Sequence, residues 1–387
     1  MNKKDKDFPM KIPPLFILLI LTILCTFHCG SQDETYTDEI IGGVRHVHNL
    51  SPAWGDELRV GLEFVRKIGG IDVVDENYML HQPRDVAIDS DGNIYVLDAG
   101  NFRIQKYSPE GYYMDTFGRR GQGPGEFEIP VSIDIDSDGN INVADQGNNR
   151  VIVLSPEGRE LRTFRFGSTV TPFKFLDSGE IVTGIITCGI VIQPVQQYGS
   201  LRKSAVFIFN GEGELIKTFC EQYDFEDNYT NPVGNSIYFA LDNNDNICLT
   251  FAYQNRIEKY TADGECIFSA DRPLSFEIDV IQRSELGISP DGSVYIKLPE
   301  MKFVSTSIGV DYNDRVWVMT CRKQRVIDDP EPYLELEIYD NNGILLGELP
   351  WTEDFNPDVN SFHMFGDRVF FRDEEGVSIY EYRIVEK

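Results

Sequence analysis

Residues 82–111 read QPRDVAIDSDGNIYVLDAGNFRIQKYSPEG, and residues 129–158 read IPVSIDIDSDGNINVADQGNNRVIVLSPEG. Laid side by side they need no gap. Pro83/Pro130, Asp89/Asp136, Gly92/Gly139, Asp98/Asp145, Asn101/Asn148, Arg103/Arg150, Pro109/Pro156 and Gly111/Gly158 all differ by 47 positions. A repeat period in the forties belongs to propeller blades or to helical solenoid units. Local pattern decides between them. VAID, NIYVLD, RIQKYS and YYMDTFG are short, near-alternating and rich in β-branched and aromatic residues, and Asp-Gly-Asn, Gly-Asn and Pro-Glu-Gly turns split them. These are strand and hairpin signals. Four strands per unit make a propeller blade.

Weaker copies follow. FKFLDSGEIVTGI opens a third unit at Phe173, and VFIFNGEGELIKTF ends it at Phe219. ALDNNDNICLTFAYQNRIEKYTADGE, from Ala240, keeps Asp242, Arg256, Tyr260 and Gly264, with Phe251 where Asp98 stood. A fifth unit begins at Gly309 and a sixth at Met364, the last short of one strand. ISPDGSVYIK, at 288–297, lies only 22 positions before the equivalent turn of the fifth unit (Gly292 to Asp314), too few for a blade, and reads as an insertion. The expected fold is therefore an all-β propeller of six four-stranded blades, with seven as the alternative. ELRVGLEFVRKIG, at 57–69, is strand-like and stands before the first blade. It is expected to complete the sixth and remove an open edge.

The chain has 387 residues, long enough for one large repeat array. Hydrophobic residues make up 41%, enough for a sizeable core, so wholesale disorder is excluded. Lys and Arg number 35 against 63 Asp and Glu, a net charge of −28. That balance argues against a nucleic-acid binder and against electrostatic attachment to an anionic membrane.

The first segment reads as an address. Lys3, Lys4, Lys6 and Lys11 precede the apolar run Leu15 to Leu24, which has the length of a secretory core and is short for a membrane span. Cys29 follows in HCGSQDE. An apolar run ending at Cys-Gly-Ser resembles a bacterial lipoprotein signal, with His28 in place of the usual small residue. The resemblance implies cleavage after residue 28 and a lipid on Cys29. Removing residues 1–28 takes away four Lys and two Asp, so the mature charge is −30. The expected layout is signal peptide 1–28, polar lipid-anchored tether 29–56 and propeller 57–387. Five further cysteines, Cys188, Cys220, Cys248, Cys266 and Cys321, are widely spaced without a CxxC and read as small buried hydrophobes.

The core P-x-x-V-A-x-D-x-D-G-N-I-Y-V-x-D-x-x-N-x-R-I at 83–104, its second copy, and the linker FGRRGQGPGEF at 117–127 resemble the NHL-repeat family of β-propellers. Six-bladed members are common as exported bacterial lipoproteins. The family includes ligand-binding sensors, scaffolds and RNA-binding modules, and a few related propellers are lyases. The resemblance thus implies a fold far more sharply than a function.

Candidate sites are few. Asp98, Asn101 and Arg103 recur as Asp145, Asn148 and Arg150. Repetition at one blade position points to a structural ion pair and turn. Asp134, Asp136, Asp138 and Asp145 have the spacing of a calcium loop, but their flanks are strands and a hairpin turn is expected. Gly118 to Gly125 lacks the GK[ST] ending of a phosphate loop and reads as an inter-blade connection. His46 and His48 lie in the expected tether, as solvated surface, and His363 stands alone. No catalytic constellation is visible, and no cofactor is expected.

These features lead to a monomeric binding or scaffold propeller in the bacterial cell envelope, periplasmic or on the outer membrane and held by its lipid. It would engage a protein or polysaccharide through one face. Insertions at 188–204, 270–300 and 322–332 would decorate its rims. The alternative is a lyase or hydrolase acting on a small molecule or glycan, with carboxylates at the channel mouth; paired acids hydrolyse glycosides when held about 5–9 Å apart, a spacing that the sequence does not assign to Asp98, Asp145 or Glu180.

Overall fold

The computed structural model describes residues 34–165, 172–184, 203–278, 283–289, 294–323, 333–353, 355, 357–373 and 376–387. The leader, Cys29, Cys188 and most of the expected insertions at 188–204 and 322–332 fall outside these residues.

Six four-stranded antiparallel sheets follow one another in a ring: Pro83–Phe117, Pro130–Phe164, Phe173–Glu221, Ile237–Asp271, Ser305–Pro350 and a last one from Pro357–Glu386. They are blades 1 to 6 of a β-propeller. Within blades 1 to 5 the strands pair in chain order, first strand innermost. Blade 6 takes its fourth strand, Val60–Gly69, from before blade 1, pairing from Ser378↔Gly69 to Glu386↔Val60. This is the closure expected of residues 57–69. The hairpin Glu285–Ile288/Val294–Lys297 forms a separate two-stranded sheet, so the blade count is six.

Local chemistry sets the first hairpin of blades 1, 2, 4 and 5. Asp89 Oδ1 accepts the N–H groups of Asp91 and Asn93, and Gly92 turns with φ 81°. Asp136, Asp242 and Asp311 bind their own turns in the same way. The left-handed residue is Gly in blades 1 and 2 but Asp245 (φ 60°) and Asp314 (φ 58°) in blades 4 and 5. Aspartate tolerates this region better than most residues, so the turn survives the loss of its glycine.

Packing then follows from the alternation. Side chains of a blade point to its two neighbours, and six apolar clusters each fill one interface between adjacent blades. Ala87, Tyr95, Leu97, Ile133 and Val143 join blades 1 and 2, while Ile68, Val86, Ile94, Phe370 and Ile379 join blades 6 and 1. Burying one such aliphatic side chain contributes about 1.5–3 kcal/mol.

One expectation fails. Residues 29–56 were expected as a patternless tether, yet Tyr36–Ile41 and Val44–Asn49 form a hairpin. Its second strand runs parallel to the outermost strand of blade 4, from Phe268↔Arg45 to Asp271↔His48, making a six-stranded sheet. Val47 is fully buried in the cluster between blades 4 and 5, and Asn49 bonds Asp271 O, Gly343 O and Leu345 N–H. Ala53 and Trp54 then donate to Leu345 and Leu346. Only one buried apolar residue anchors the hairpin, which is why alternation did not reveal it.

The topology gives the ring two unlike faces. Inner strands begin on one face, where the connections between blades also lie; it is called the loop face. The opposite, turn face carries the first and third hairpin turns of the blades and is dense in acids, among them Asp91, Asp138, Asp177, Asp245 and Asp314.

Candidate functional site

The Asp-x-x-Asn-x-Arg sets lie where the second strand of a blade turns into the third. Asp98 is fully buried, so its carboxylate needs hydrogen-bond and charge partners. Its carboxylate accepts from His81 N–H (2.7 Å), Asn101 Nδ2 (2.8 Å) and Arg103 Nε (2.8 Å). Arg103 also donates to Met79 O (2.8 Å). Asp145 accepts from Glu128 N–H, Ile129 N–H and Asn148 Nδ2, while Arg150 donates to Gly123 O and Glu126 O. In both blades the triplet ties down the chain entering that blade. Every acceptor is in use, so the set works as a structural latch. Asp98 and Asp145 therefore do not form a paired acid site, and Glu180 sits in the opposite turn, accepting from Ser178 Oγ.

A different group of polar residues meets in the central channel. The inner strands enclose a cavity of about 310 Å³. Tyr238, Phe239, Leu241 and Ile308 make one wall, and Asp85, Ser132, Asp134, Lys174 and His363 make another. Asp85 Oδ2 accepts from Ser132 Oγ (2.8 Å) and Ile133 N–H (2.9 Å), and its Oδ1 accepts from Val86 N–H. Asp134 Oδ2 accepts from Phe175 N–H (2.8 Å), and its Oδ1 lies 3.2 Å from Lys174 Nζ. Each aspartate thus bonds the backbone of the next blade's inner strand. These strands have one unpaired edge facing the channel, so the carboxylates satisfy donors that the sheet cannot.

Electrostatics follow from burial. Burial raises the pKa of Asp134, and Lys174 and the Phe175 N–H only partly offset it. Burial works against the charge of Lys174, but Asp134 and Asp85 outweigh it and hold the ammonium. His363 Nδ1 lies 3.4 Å from Asp85 Oδ1. Burial lowers its pKa to about 4; Asp85 pulls the other way, and Lys174 and Arg372 add to the lowering. The ring is neutral at pH 7. With Nδ1 facing the carboxylate, the proton is assigned to Nδ1. Among the described residues Nε2 has no hydrogen-bond partner, so the lumen gains one free acceptor.

A pH dependence follows. The unfolded chain takes a proton on His363 near 6.5 and the folded chain only near 4. The neutral ring's contribution is complete above pH 6.5 and is lost as pH falls from there to about 4, by about 3 kcal/mol at most. Melting temperatures of the wild type and His363→Gln, measured from pH 7.5 to 4, should therefore converge toward low pH. Parallel curves would refute the depressed pKa.

The latch and its exact recurrence after one blade decide the family resemblance. The NHL repeat model matches residues 80–107 and 127–154. The chain carries two NHL repeats. No curated protein matches it. Similar solved folds include a DUF4221 family member from Bacteroides vulgatus, with a TM-score of 0.55 at 11% identity over 85% of this chain and 99% of that one. A putative exported protein from Bacteroides fragilis gives 0.54 at 12% over 85% and 96%. The PQQ-bound aldose sugar dehydrogenase from Streptomyces coelicolor gives 0.50 at 11% over 87% and 100%. At these identities the likeness is one of fold.

The NHL repeats also account for the calcium-like spacing. Asp134 points to blade 3, Asp136 and Asp138 belong to a hairpin turn, and Asp145 is the latch of blade 2. The four carboxylates do not converge. Among the described residues no three His, Cys, Asp or Glu side chains are placed to hold a metal ion. His46 and His48, outside the NHL repeats, belong to the N-terminal hairpin; His48 bridges Asp271 (2.8 Å) and Glu39 (3.4 Å). Sequence reasoning missed Asp85 and Lys174 and left His363 isolated. The available signal was a charged or imidazole side chain set between apolar neighbours on an inner strand: Ile133-Asp134-Ile135, Phe173-Lys174-Phe175, Phe362-His363-Met364.

Proposed function

We propose that this chain is an exported, lipid-anchored β-propeller of the bacterial cell envelope that binds a partner without transforming it. One observation carries the reading: the channel carboxylates are committed to holding blades together. Asp85 has three donors besides His363, and Asp134 has an ammonium and a backbone N–H. Glycoside hydrolysis by paired carboxyl groups needs one free to exchange a proton and the other free to activate water or attack the sugar. The apolar run ending at Cys29 supports export and lipid attachment, and a protein of the same fold is described as a putative exported protein. The mature charge of −30 favours neutral or cationic partners, or calcium-bridged ones, over nucleic acid. The rival, a lyase or hydrolase in the channel, draws on the open Nε2 of His363.

The test is a pull-down from envelope extract with the anchor-free chain 30–387, with and without calcium, beside a lyase and glycosidase screen. A specific partner, recovered equally by His363→Gln, is expected. Turnover abolished by His363→Gln, with no partner recovered, would establish the enzyme instead.

A further inference from the structure

The insertion between blades 4 and 5 carries apolar side chains that stay largely exposed among the described residues. Leu286, Ile288 and Val294 are 76, 74 and 67% exposed. Leu286 pairs with Ile296 and Ile288 with Val294, and residues two apart share a face, so all four side chains lie on one side of the hairpin. Scattered exposed apolar residues are ordinary, but a contiguous set on a projecting element marks a contact surface. Arg283 and Ser284 fix the base of the hairpin to Glu226 and Asp227, in the connection between blades 3 and 4. The hairpin therefore belongs to the loop face. Ile71 and Val74, 77 and 87% exposed, lie on the same face in the connection from the closing strand to blade 1.

The chain's own N-terminus identifies what covers this surface. Tyr36 pairs with Asn49, and His48 is opposite Asp271, the last residue of blade 4's outer strand; Tyr36 thus leaves from the loop face beside the connection to blade 5. Cys29 and Tyr36 are seven positions apart, so seven Cα–Cα steps join them. Fully extended they reach at most about 25 Å, less than the thickness of a bilayer core. A lipid on Cys29 would hold the loop face within that distance of the membrane, whereas the acid-rich turn face would point away. We propose that the loop face rests on a lipid bilayer through the apolar side of the paired strands 285–288 and 294–297, inserted among headgroups and acyl chains. This rests on the lipid-anchor reading for its geometry. The contact is apolar, so it does not require an anionic surface.

The experiment replaces the natural lipid. The chain 30–387, carrying an N-terminal hexahistidine, is held on phosphatidylcholine vesicles by a nickel-chelating lipid, and amide hydrogen exchange is compared with the chain in solution. Exchange at 285–288 and 294–297 should slow at least about fivefold on vesicles. Leu286→Asp/Ile288→Asp should abolish that protection with an unchanged melting temperature, and Ile216→Asp, an exposed site on an outer strand, should keep it. Unprotected hairpin amides on the tethered wild type would overturn the proposal. So would protection that appears equally in free protein at high concentration, which would identify a second copy as the occupant. The chelator stands in for the lipid, so either result is independent of whether Cys29 is lipidated. Mass spectrometry of the envelope form decides that question separately.

Discussion

A chain cut to begin at residue 70 is expected to lose its cooperative melting transition and to be recovered mainly as aggregate. The truncation removes Val60–Gly69 and leaves Ser378–Glu386, a nine-residue strand, with one edge unpaired. Val60 and Ile68 are buried at the two ends of the lost strand, in the clusters that join blade 6 to blades 5 and 1. Their burial alone contributes about 3–6 kcal/mol. Total stabilities are about 5–15 kcal/mol, so little margin is left once the ladder goes too. Arg66 goes with the strand, leaving buried Glu381 with Arg368 as its remaining guanidinium partner. An open edge of this length is a template for pairing with other chains. Circular dichroism melting and size-exclusion chromatography measure the loss. A peptide of residues 57–69 added during refolding should restore part of the soluble fraction; an unchanged melting temperature in the truncated chain would refute closure by this strand.

The closing strand was legible because it obeys the rules that the blades obey. ELRVGLEFVRKIG alternates, and the sixth unit was one strand short. The blades themselves were legible from a repeat in which turn residues and apolar alternation agree. The N-terminal hairpin was not. VRHVHN has only Val47 and Asn49 buried, and Asn49 holds on by hydrogen bonds to Gly343 and Leu345, nearly three hundred positions away. Partners so distant leave no trace in a local pattern. The channel cluster was hidden for a related reason. Asp85 and His363 are 278 positions apart and meet only because the ring closes. Asp98 and Arg103, by contrast, are five apart in a hairpin, and their pairing could be read directly.

The same distinction applies to the buried ion pair between blades 4 and 5, where the second large effect is expected. Arg272 has a side-chain exposure of 0% and Glu337 of 2%, and Nε and Oε2 are 2.7 Å apart. Arg272 also donates to Ser305 Oγ (2.7 Å) and lies within reach of Thr320, while Glu337 accepts from Thr320 Oγ1 (2.7 Å) and the Tyr339 hydroxyl (2.8 Å). Burial works against the charge of Arg272, and Glu337 more than offsets it, so its pKa is raised. Burial, helped by Glu337, pushes the Tyr339 hydroxyl far up, so it stays a donor. Desolvating two such ions costs nearly as much as their attraction returns, and the pair as a whole adds little net stability. Removing one partner is different, because the other charge remains buried. Arg272→Ala is therefore expected to lose about 3–5 kcal/mol at pH 7, measured as a fall in the urea midpoint. Arg272→Met/Glu337→Leu should lose far less than the sum of its single variants. The Arg272→Ala loss should also shrink as pH falls, because an isolated buried carboxylate has a raised pKa and escapes its penalty by taking a proton. Additive single losses, or a loss independent of pH, would show that Glu337 is not left as an uncompensated charge when Arg272 is removed.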